Sequence, residues 1–388
     1  MVTILPYKEL AKHLDSLPGG FPATDRGVEK KILEHLFSKE EAALALCLTL
    51  IPETGATISF RAGKPLPEIE KLLESMAAKG LIFRVKKPDK APVYMAAQFV
   101  VGIWELQVDR LSSELVTLMN DYMPDLMDPN VWKKVPQMRT IPVGRSIDTT
   151  LEIMTYEMAE ELIKANRHFV VSPCICRKEQ KMDGKGCDRP MDVCLSFGDD
   201  EDFFLKNKIG RKVTLTEVLE ILKQADRSGL VLQPSNGRKI SWLCCCCGCC
   251  CGILRTVKSY PRPAEIVSSP FQAKINFDSC IACGICEKRC PMDAIKRMDA
   301  IKIEDKKALL DTDRCIGCGL CVSTCPTGAL FLVRKPENLQ PHVPDNIVSA
   351  SLKLLWKRGR INPISVTAMA GKSFMDRYRS RHIGKREP

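Results

Sequence analysis

The distribution of cysteine constrains this chain more than any other feature. Twenty of its 388 residues are cysteine, and nineteen of them lie between Cys174 and Cys325. Disulfides do not require such crowding, and the four consecutive thiols of residues 244–247 cannot all pair sensibly. Crowded thiols in a chain with no visible export signal are typical of metal ligands in a reducing compartment. The sequence therefore predicts a cytoplasmic metal-binding protein.

Composition supports a globular chain, and its positive charge is concentrated at one end. Hydrophobic residues make up 45% and charged residues 27%, which excludes a wholly disordered or fibrous protein. Residues 351–388 carry ten Lys and Arg against two acidic residues, within a total formal charge of +11. Such a segment often binds a partner, so we expect it to dock an acidic redox protein or to contact an anionic membrane, with a solvated tail as the alternative. No apolar run approaches the roughly 18 residues of a membrane helix.

One cysteine motif occurs twice in the C-terminal third. Its first copy runs from Cys280 to Cys290 with x2, x2 and x3 spacers and ends at Pro291, and the second runs from Cys315 to Cys325 with the same spacers. A cubane of four irons and four sulfides needs one thiolate for each iron, and this tight loop encloses three corners. A pair of zinc sites is the alternative, but zinc ligands usually separate into two distant half-motifs.

The repeat closely resembles bacterial-type two-[4Fe-4S] ferredoxins. In that family the fourth cysteine of each motif ligates the other cluster. The resemblance therefore implies one cluster on Cys280, Cys283, Cys286 and Cys325, and a second on Cys315, Cys318, Cys321 and Cys290. It also implies single-electron transfer as the chemistry of this region.

Four further cysteines precede the repeat at irregular spacing. They are Cys174, Cys176, Cys187 and Cys194. Basic residues surround them, and such cations lower thiol pKa values and compensate the charge of a cluster. The pattern predicts an iron–sulfur site, with zinc as one alternative and unligated redox or structural thiols as another. His168 lies close enough in sequence to be a ligand, although a structural role is favoured.

A dense cysteine run follows. It comprises Cys244, Cys245, Cys246, Cys247, Cys249, Cys250 and Cys251. In an extended run, alternate residues share one face, so all seven cannot contact one metal. In one interpretation a few of them are ligands and the rest are small buried apolar residues. In the other, the run and the four upstream thiols together supply the ligands. Two cubanes need about eight thiols, and a non-cubane cluster with bridging thiolates also fits. We expect one or two further clusters, but the sequence does not assign individual cysteines to them.

Hydrophobic periodicity and breaker residues divide the chain into five segments of an α+β multidomain protein. These are a winged-helix-like domain (1–97), a helical connector (98–142), a cysteine-rich α/β domain (143–265), a two-cluster ferredoxin domain (266–335) and a basic extension (336–388). The whole resembles multi-cluster ferredoxin-like proteins of anaerobes, on the strength of Cys174-Ile175-Cys176-Arg177, the 244–251 run and the two repeats. That resemblance implies an architecture but no substrate.

The first segment predicts a helix-turn-helix followed by a two-stranded ribbon. Ser38 and Glu41 form a capping box, Pro67 opens a helix over 68–79, and strands follow over 81–85 and 93–97. The presumed recognition helix carries three Glu against two Lys, whereas phosphate binding needs cations. The sequence thus argues against nucleic-acid binding.

The chain contains no glycine-rich dinucleotide fingerprint and no phosphate loop. We therefore predict an electron-transfer protein that relays single electrons between redox partners through the two ferredoxin clusters and an upstream cluster. Two alternatives stay open. One is a redox-sensing regulator that uses the winged helix, and the other is a small reductase subunit with an active upstream cluster.

Overall fold

The computed structural model describes residues 6–86, 89–127, 136–147, 151–198, 201–298, 307–361 and 371–380. The chain is a mixture of helices and short strands that divides into two compact units. Unit 1 contains the described residues of 1–126, 199–211 and 351–388, and unit 2 those of 127–198 and 212–350. No helix in these described ranges has both the length and the apolar character needed to cross a membrane.

The helices follow one another along the chain. They are α1 (Pro6–Ser16), α2 (Val28–Leu36), α3 (Lys39–Ala45), α4 (Gly55–Ala62), α5 (Leu66–Ala78), α6 (Ser113–Leu126), α7 (Ala159–Lys164), α8 (Ile175–Met182), α9 (Glu201–Lys206), α10 (Leu215–Arg227), α11 (Gly252–Ser259), α12 (Pro263–Ile266), α13 (Ile285–Arg289) and α14 (Ile347–Lys357). Residues 371–380 are also helical.

The strands are all short. They are β1 (Glu53–Thr54), β2 (Ile82–Val85), β3 (Val93–Ala96), β4 (Phe169–Pro173), β5 (Asp192–Phe197), β6 (Arg211–Lys212), β7 (Val231–Pro234), β8 (Trp242–Cys246), β9 (Phe271–Ile275), β10 (Ile295–Arg297), β11 (Ala308–Leu310) and β12 (Leu330–Arg334).

Unit 1 combines helices with an antiparallel sheet of order β1-β3-β2. The predicted capping box is present: Ser38 accepts a hydrogen bond from the Glu41 N–H, and the Glu41 carboxylate accepts one from the Ser38 N–H. The predicted strand pair is confirmed as β2 and β3, whereas Lys87 and Pro88 of the intervening turn lie outside the described residues. The identification of this segment as a winged helix stays a prediction.

Two expectations for unit 1 differ from the structure. The sequence predicts a helical connector over 98–142, whereas the structure has only short helical turns at Phe99–Ile103 and Glu105–Gln107 before α6 begins at Ser113. There the Ser112 hydroxyl accepts a hydrogen bond from the Leu115 N–H. Part of the C-terminal extension, expected to be a solvated or partner-bound tail, packs within the unit. Ser373 donates a hydrogen bond to the buried Glu53 at 2.6 Å, and Arg358 pairs with Asp15 at 2.8 Å. Residues 381–388 of the extension lie outside the described residues.

Unit 2 is built on a five-stranded sheet of order β6-β4-β5-β8-β7. Strand β5 lies between β4 and β8, antiparallel to both, and Cys194 of β5 is the direct partner of Cys244 in β8. Helix α8 begins directly after Cys174 at the end of β4, and α11 begins directly after Cys251. The sheet register therefore brings cysteines separated by about 50–75 positions in sequence to one place.

The cysteine repeat lies in the same unit. Its two outer strands, β9 and β12, pair antiparallel along five residues each, and β10 pairs antiparallel with β11. This pairing agrees with the hairpin expected between the two motifs, although residues 299–306 lie outside the described part of the chain. Helix α13 carries the end of the first motif.

Candidate metal centres

The second cysteine motif surrounds a small apolar space together with one residue of the first motif. The residues that line this space include Cys290, Cys315, Cys318 and Cys321. The Cys315 thiol accepts a hydrogen bond from the Ala273 N–H at 3.4 Å, and that of Cys290 accepts one from the Ala294 N–H at 3.2 Å. Four thiols aimed at one apolar space, with N–H donors on two of the sulfurs, fit a cubane cluster.

Two glycines line this space. Gly317 and Gly319 both have left-handed backbone conformations, with φ values of 67° and 75°. A Cβ atom on Gly317 would lie 2.2 Å from the carbonyl oxygen of Phe271, and one on Gly319 would lie 2.0 Å from the hydroxyl of Ser146. Only a residue without a side chain allows the loop to pass this close to its neighbours.

The first motif differs from the second in exposure. Cys283 is exposed, whereas Cys315, Cys318 and Cys321 are buried. Apolar side chains beside it are also exposed, Ile281 to 65% and Ile285 to 44%. The Cys325 thiol lies 3.7 Å from the Thr327 hydroxyl, and its assignment to the first cluster stays a prediction. The first motif therefore lies at the protein surface, and the second lies inside unit 2.

The upstream cysteines separate into two groups. Six thiols influence one another's pKa values in a closed order, each acting on two others; in ring order they are Cys174, Cys176, Cys251, Cys246, Cys244 and Cys194. This thiol ring joins residues just after β4 and within β5 to Cys244 and Cys246 of β8 and to Cys251. The alternation of side chains along β8 explains why Cys245 is not part of the thiol ring. Cys244 and Cys246 share one face of the strand, whereas Cys245 points to the other.

Interactions between neighbouring thiols lower the pKa of three members of the thiol ring, that of Cys244 to about 5 and those of Cys174 and Cys251. They raise the pKa values of the other three, Cys176, Cys194 and Cys246, so half of the ring favours the thiolate form. Cys174 and Cys251 are the residues directly before α8 and α11, at the positive ends of two helix dipoles.

The second group, the four-thiol site, contains Cys187, Cys247, Cys249 and Cys250. Their sulfur atoms all lie within 4.8 Å of one another. The structure thus divides the four cysteines predicted as one site: Cys187 belongs to the four-thiol site, and Cys174, Cys176 and Cys194 belong to the thiol ring. Cys245 belongs to neither group, and burial raises its pKa. His168 is exposed before β4 and is a member of neither group.

A buried cation lies between the two groups. The side chain of Arg177 is inaccessible to solvent and donates to the Cys245 carbonyl at 3.1 Å and to the Cys247 sulfur at 3.6 Å. Its pKa is raised: burial lowers it, but the nearby thiols of Cys174 and Cys247 outweigh that effect. Its Nε atom has no hydrogen-bond partner among the described residues. Because a buried guanidinium needs negative charge nearby, this arrangement fits thiolates, and therefore bound metal.

The cysteine run is packed against the ferredoxin-like region. A Cβ atom on Gly248 would lie 2.7 Å from the carbonyl oxygen of Pro291, the residue that follows Cys290. Arg314 also crosses between the two segments and donates to the Lys258 carbonyl at 2.8 Å. The four-thiol site, which flanks Gly248, therefore lies next to the end of the first motif, where Cys290 lines the space of the second. No motif in the sequence indicated this contact.

Comparison with known families supports the interpretation of the repeat. Residues 273–332 match the family described as 4Fe-4S dicluster domain. Neither the curated proteins nor the solved structures gave a match to the chain. The match covers both cysteine motifs, β10 and β11, and parts of β9 and β12, and thus this chain contains a 4Fe-4S dicluster domain.

Proposed function

We propose that this protein relays single electrons through three iron–sulfur clusters. The observation that carries the proposal is the 4Fe-4S dicluster domain, in which Cys290 of one motif lines the same space as three cysteines of the other. The proposed ligands of the first cluster are Cys280, Cys283, Cys286 and Cys325. Those of the second are Cys315, Cys318, Cys321 and Cys290.

A 4Fe-4S cluster supplies one-electron chemistry with little change in geometry. The chain's own contribution is to control the surroundings. Backbone N–H groups of Ala273 and Ala294 donate to ligand sulfurs, which stabilises the more negative state. The apolar lining of the second site, which includes Ile316 and Leu332, excludes water from it.

The difference in exposure supports an order along the relay. The first motif offers a redox partner an exposed surface with the apolar side chains of Ile281 and Ile285 beside Cys283. The second motif is buried, and Pro291, which follows its proposed fourth ligand Cys290, packs against Gly248 of the 244–251 run. We propose that the external partner docks at the first motif and that the upstream thiols lie at the inner end. Docking of an acidic partner by the basic extension and a cytoplasmic location stay predictions.

We assign the third cluster to the thiol ring. A cubane takes four thiolates, and the ring offers six, so bridging thiolates or a non-cubane cluster fit the donor set. The positive ends of α8 and α11, together with the buried Arg177, compensate the charge that such a cluster brings.

Reductive titration of the anaerobically purified protein tests the proposal. We expect about twelve irons and three reversible one-electron equivalents per chain, measured by iron and sulfide analysis and by titration with a low-potential viologen. Fewer than two reversible electrons per chain would contradict an electron relay. Eight irons with two electrons would contradict only the third cluster.

Two single substitutions address the ligand assignment. Cys280→Ala and Cys315→Ala should each remove about four irons and one electron equivalent, because each takes one corner from a different cubane. Cys47→Ala is the matched control, since Cys47 lies in unit 1 and should leave both numbers unchanged. Full iron content in both ligand variants would show that the assignment is wrong.

A further inference from the structure

We infer that Cys187, Cys247, Cys249 and Cys250 form a separate site for a single tetrahedral, thiophilic metal ion, either zinc or iron. This site is not part of the three proposed clusters, and its existence does not depend on them. The inference rests on sulfur geometry, on the neighbouring cations and on the position of the site between two other thiol-rich regions.

The sulfur separations match one ion. Cys187 lies 3.6 Å from Cys250 and 3.9 Å from Cys247, and Cys249 lies 3.8 Å from Cys250. Four sulfurs bound tetrahedrally at the usual zinc–sulfur length are about 3.8 Å apart. A disulfide would need a sulfur–sulfur distance of about 2.05 Å. A cubane would spread the four sulfurs farther apart, because each binds a different iron.

Local charge supports four thiolates on one ion. Such a site carries a net charge of about −2 with a divalent metal. Arg189 donates to the Cys249 sulfur at 3.1 Å, and Arg177 donates to the Cys247 sulfur at 3.6 Å. Two guanidinium groups thus contact two of the four sulfurs and offset that charge.

The site also has a structural consequence. Cys247 and Cys249 flank Gly248, whose backbone packs against Pro291 of the first ferredoxin motif. One ion joining these residues to Cys187, which lies some 60 positions earlier in the chain, would hold the loop against Pro291. Zinc would serve only as this clamp, whereas iron would add a one-electron centre beside the second cluster.

The decisive measurement is the ratio of metal to acid-labile sulfide, because a single thiolate-bound ion contains no sulfide. The probes are the full-length protein and its Cys249→Ser and Cys250→Ser variants, analysed for zinc, iron and sulfide. We expect each variant to lose one metal equivalent and no sulfide. If that metal is iron, the wild type should also show the absorption and EPR signals of a mononuclear ferric thiolate site.

Cys245→Ala is the matched control, since this residue belongs to the same run but to neither thiol group. It should keep all metal and sulfide. Loss of iron together with an equal amount of sulfide from Cys249→Ser and Cys250→Ser would overturn the inference in favour of a cluster. Unchanged metal in both variants would also overturn it. Because Cys249 is exposed, its replacement by Ser should leave the fold intact. A loss of metal from this variant therefore reports on the site and not on unfolding. Each variant is compared with the wild type, so the constant sulfide of the dicluster domain does not affect these outcomes. That sulfide content tests the proposed function separately.

Discussion

Replacing Arg177 by Met should abolish metal binding at both upstream thiol groups. The guanidinium is fully buried, contacts the Cys247 sulfur and lies close to the charge of Cys174. Removing one partner of a buried ionic arrangement costs roughly 3–5 kcal/mol, because the remaining charges stay desolvated without compensation. We expect iron and sulfide to fall to the content of the dicluster domain, about eight irons per chain, and the urea unfolding midpoint of unit 2 to fall.

Arg262→Met is the control for this experiment. Arg262 is exposed, contacts no thiol and pairs at the surface with Glu265 and Asp313. It should change neither metal content nor the unfolding midpoint measurably, since surface ion pairs contribute little. If Arg177→Met also retains full metal content, then the thiols near Arg177 do not depend on its charge, and the assignment of thiolates there is wrong.

Replacing Gly317 by Ala should destabilise the second ferredoxin motif strongly. The new Cβ would lie 2.2 Å from the Phe271 carbonyl oxygen, at a backbone φ of 67°. The left-handed conformation costs about 1–2 kcal/mol for a residue with a side chain, and the overlap adds about 1–3 kcal/mol. We expect partial loss of the buried cluster, measured as about four irons, and a lower unfolding midpoint.

Gly328→Ala separates the two costs. Gly328 has nearly the same φ, 65°, but a Cβ atom there meets nothing within 4 Å. The free energy of unfolding of this variant should fall only by the conformational cost of about 1–2 kcal/mol, and the protein should keep its iron. Equal losses in the two variants would show that the close approach to Phe271 is not what requires Gly317.

The sequence predicted most of the local structure where a short-range physical signal exists. The predicted capping box at Ser38 is present, because it needs only residues three positions apart. In the connector expected to be helical over 98–142, the first part forms only short helical turns, because apolar spacing alone does not show that the Ser112 cap starts the long helix at Ser113. The packing of Ser373 against Glu53 joins residues about 320 positions apart, and no local pattern reports such a contact.

The sequence by itself determined the dicluster domain, because three ligands of each cluster lie within one loop and the spacers set their geometry. It also predicted that the upstream cysteines are metal ligands, but it did not divide them. That division was decided only by the tertiary structure. The register between β5 and β8 places Cys194 beside Cys244, and the turn at Gly248 sends the later thiols toward Cys187. Sheet register and loop closure depend on packing between distant segments, which residue spacing does not encode.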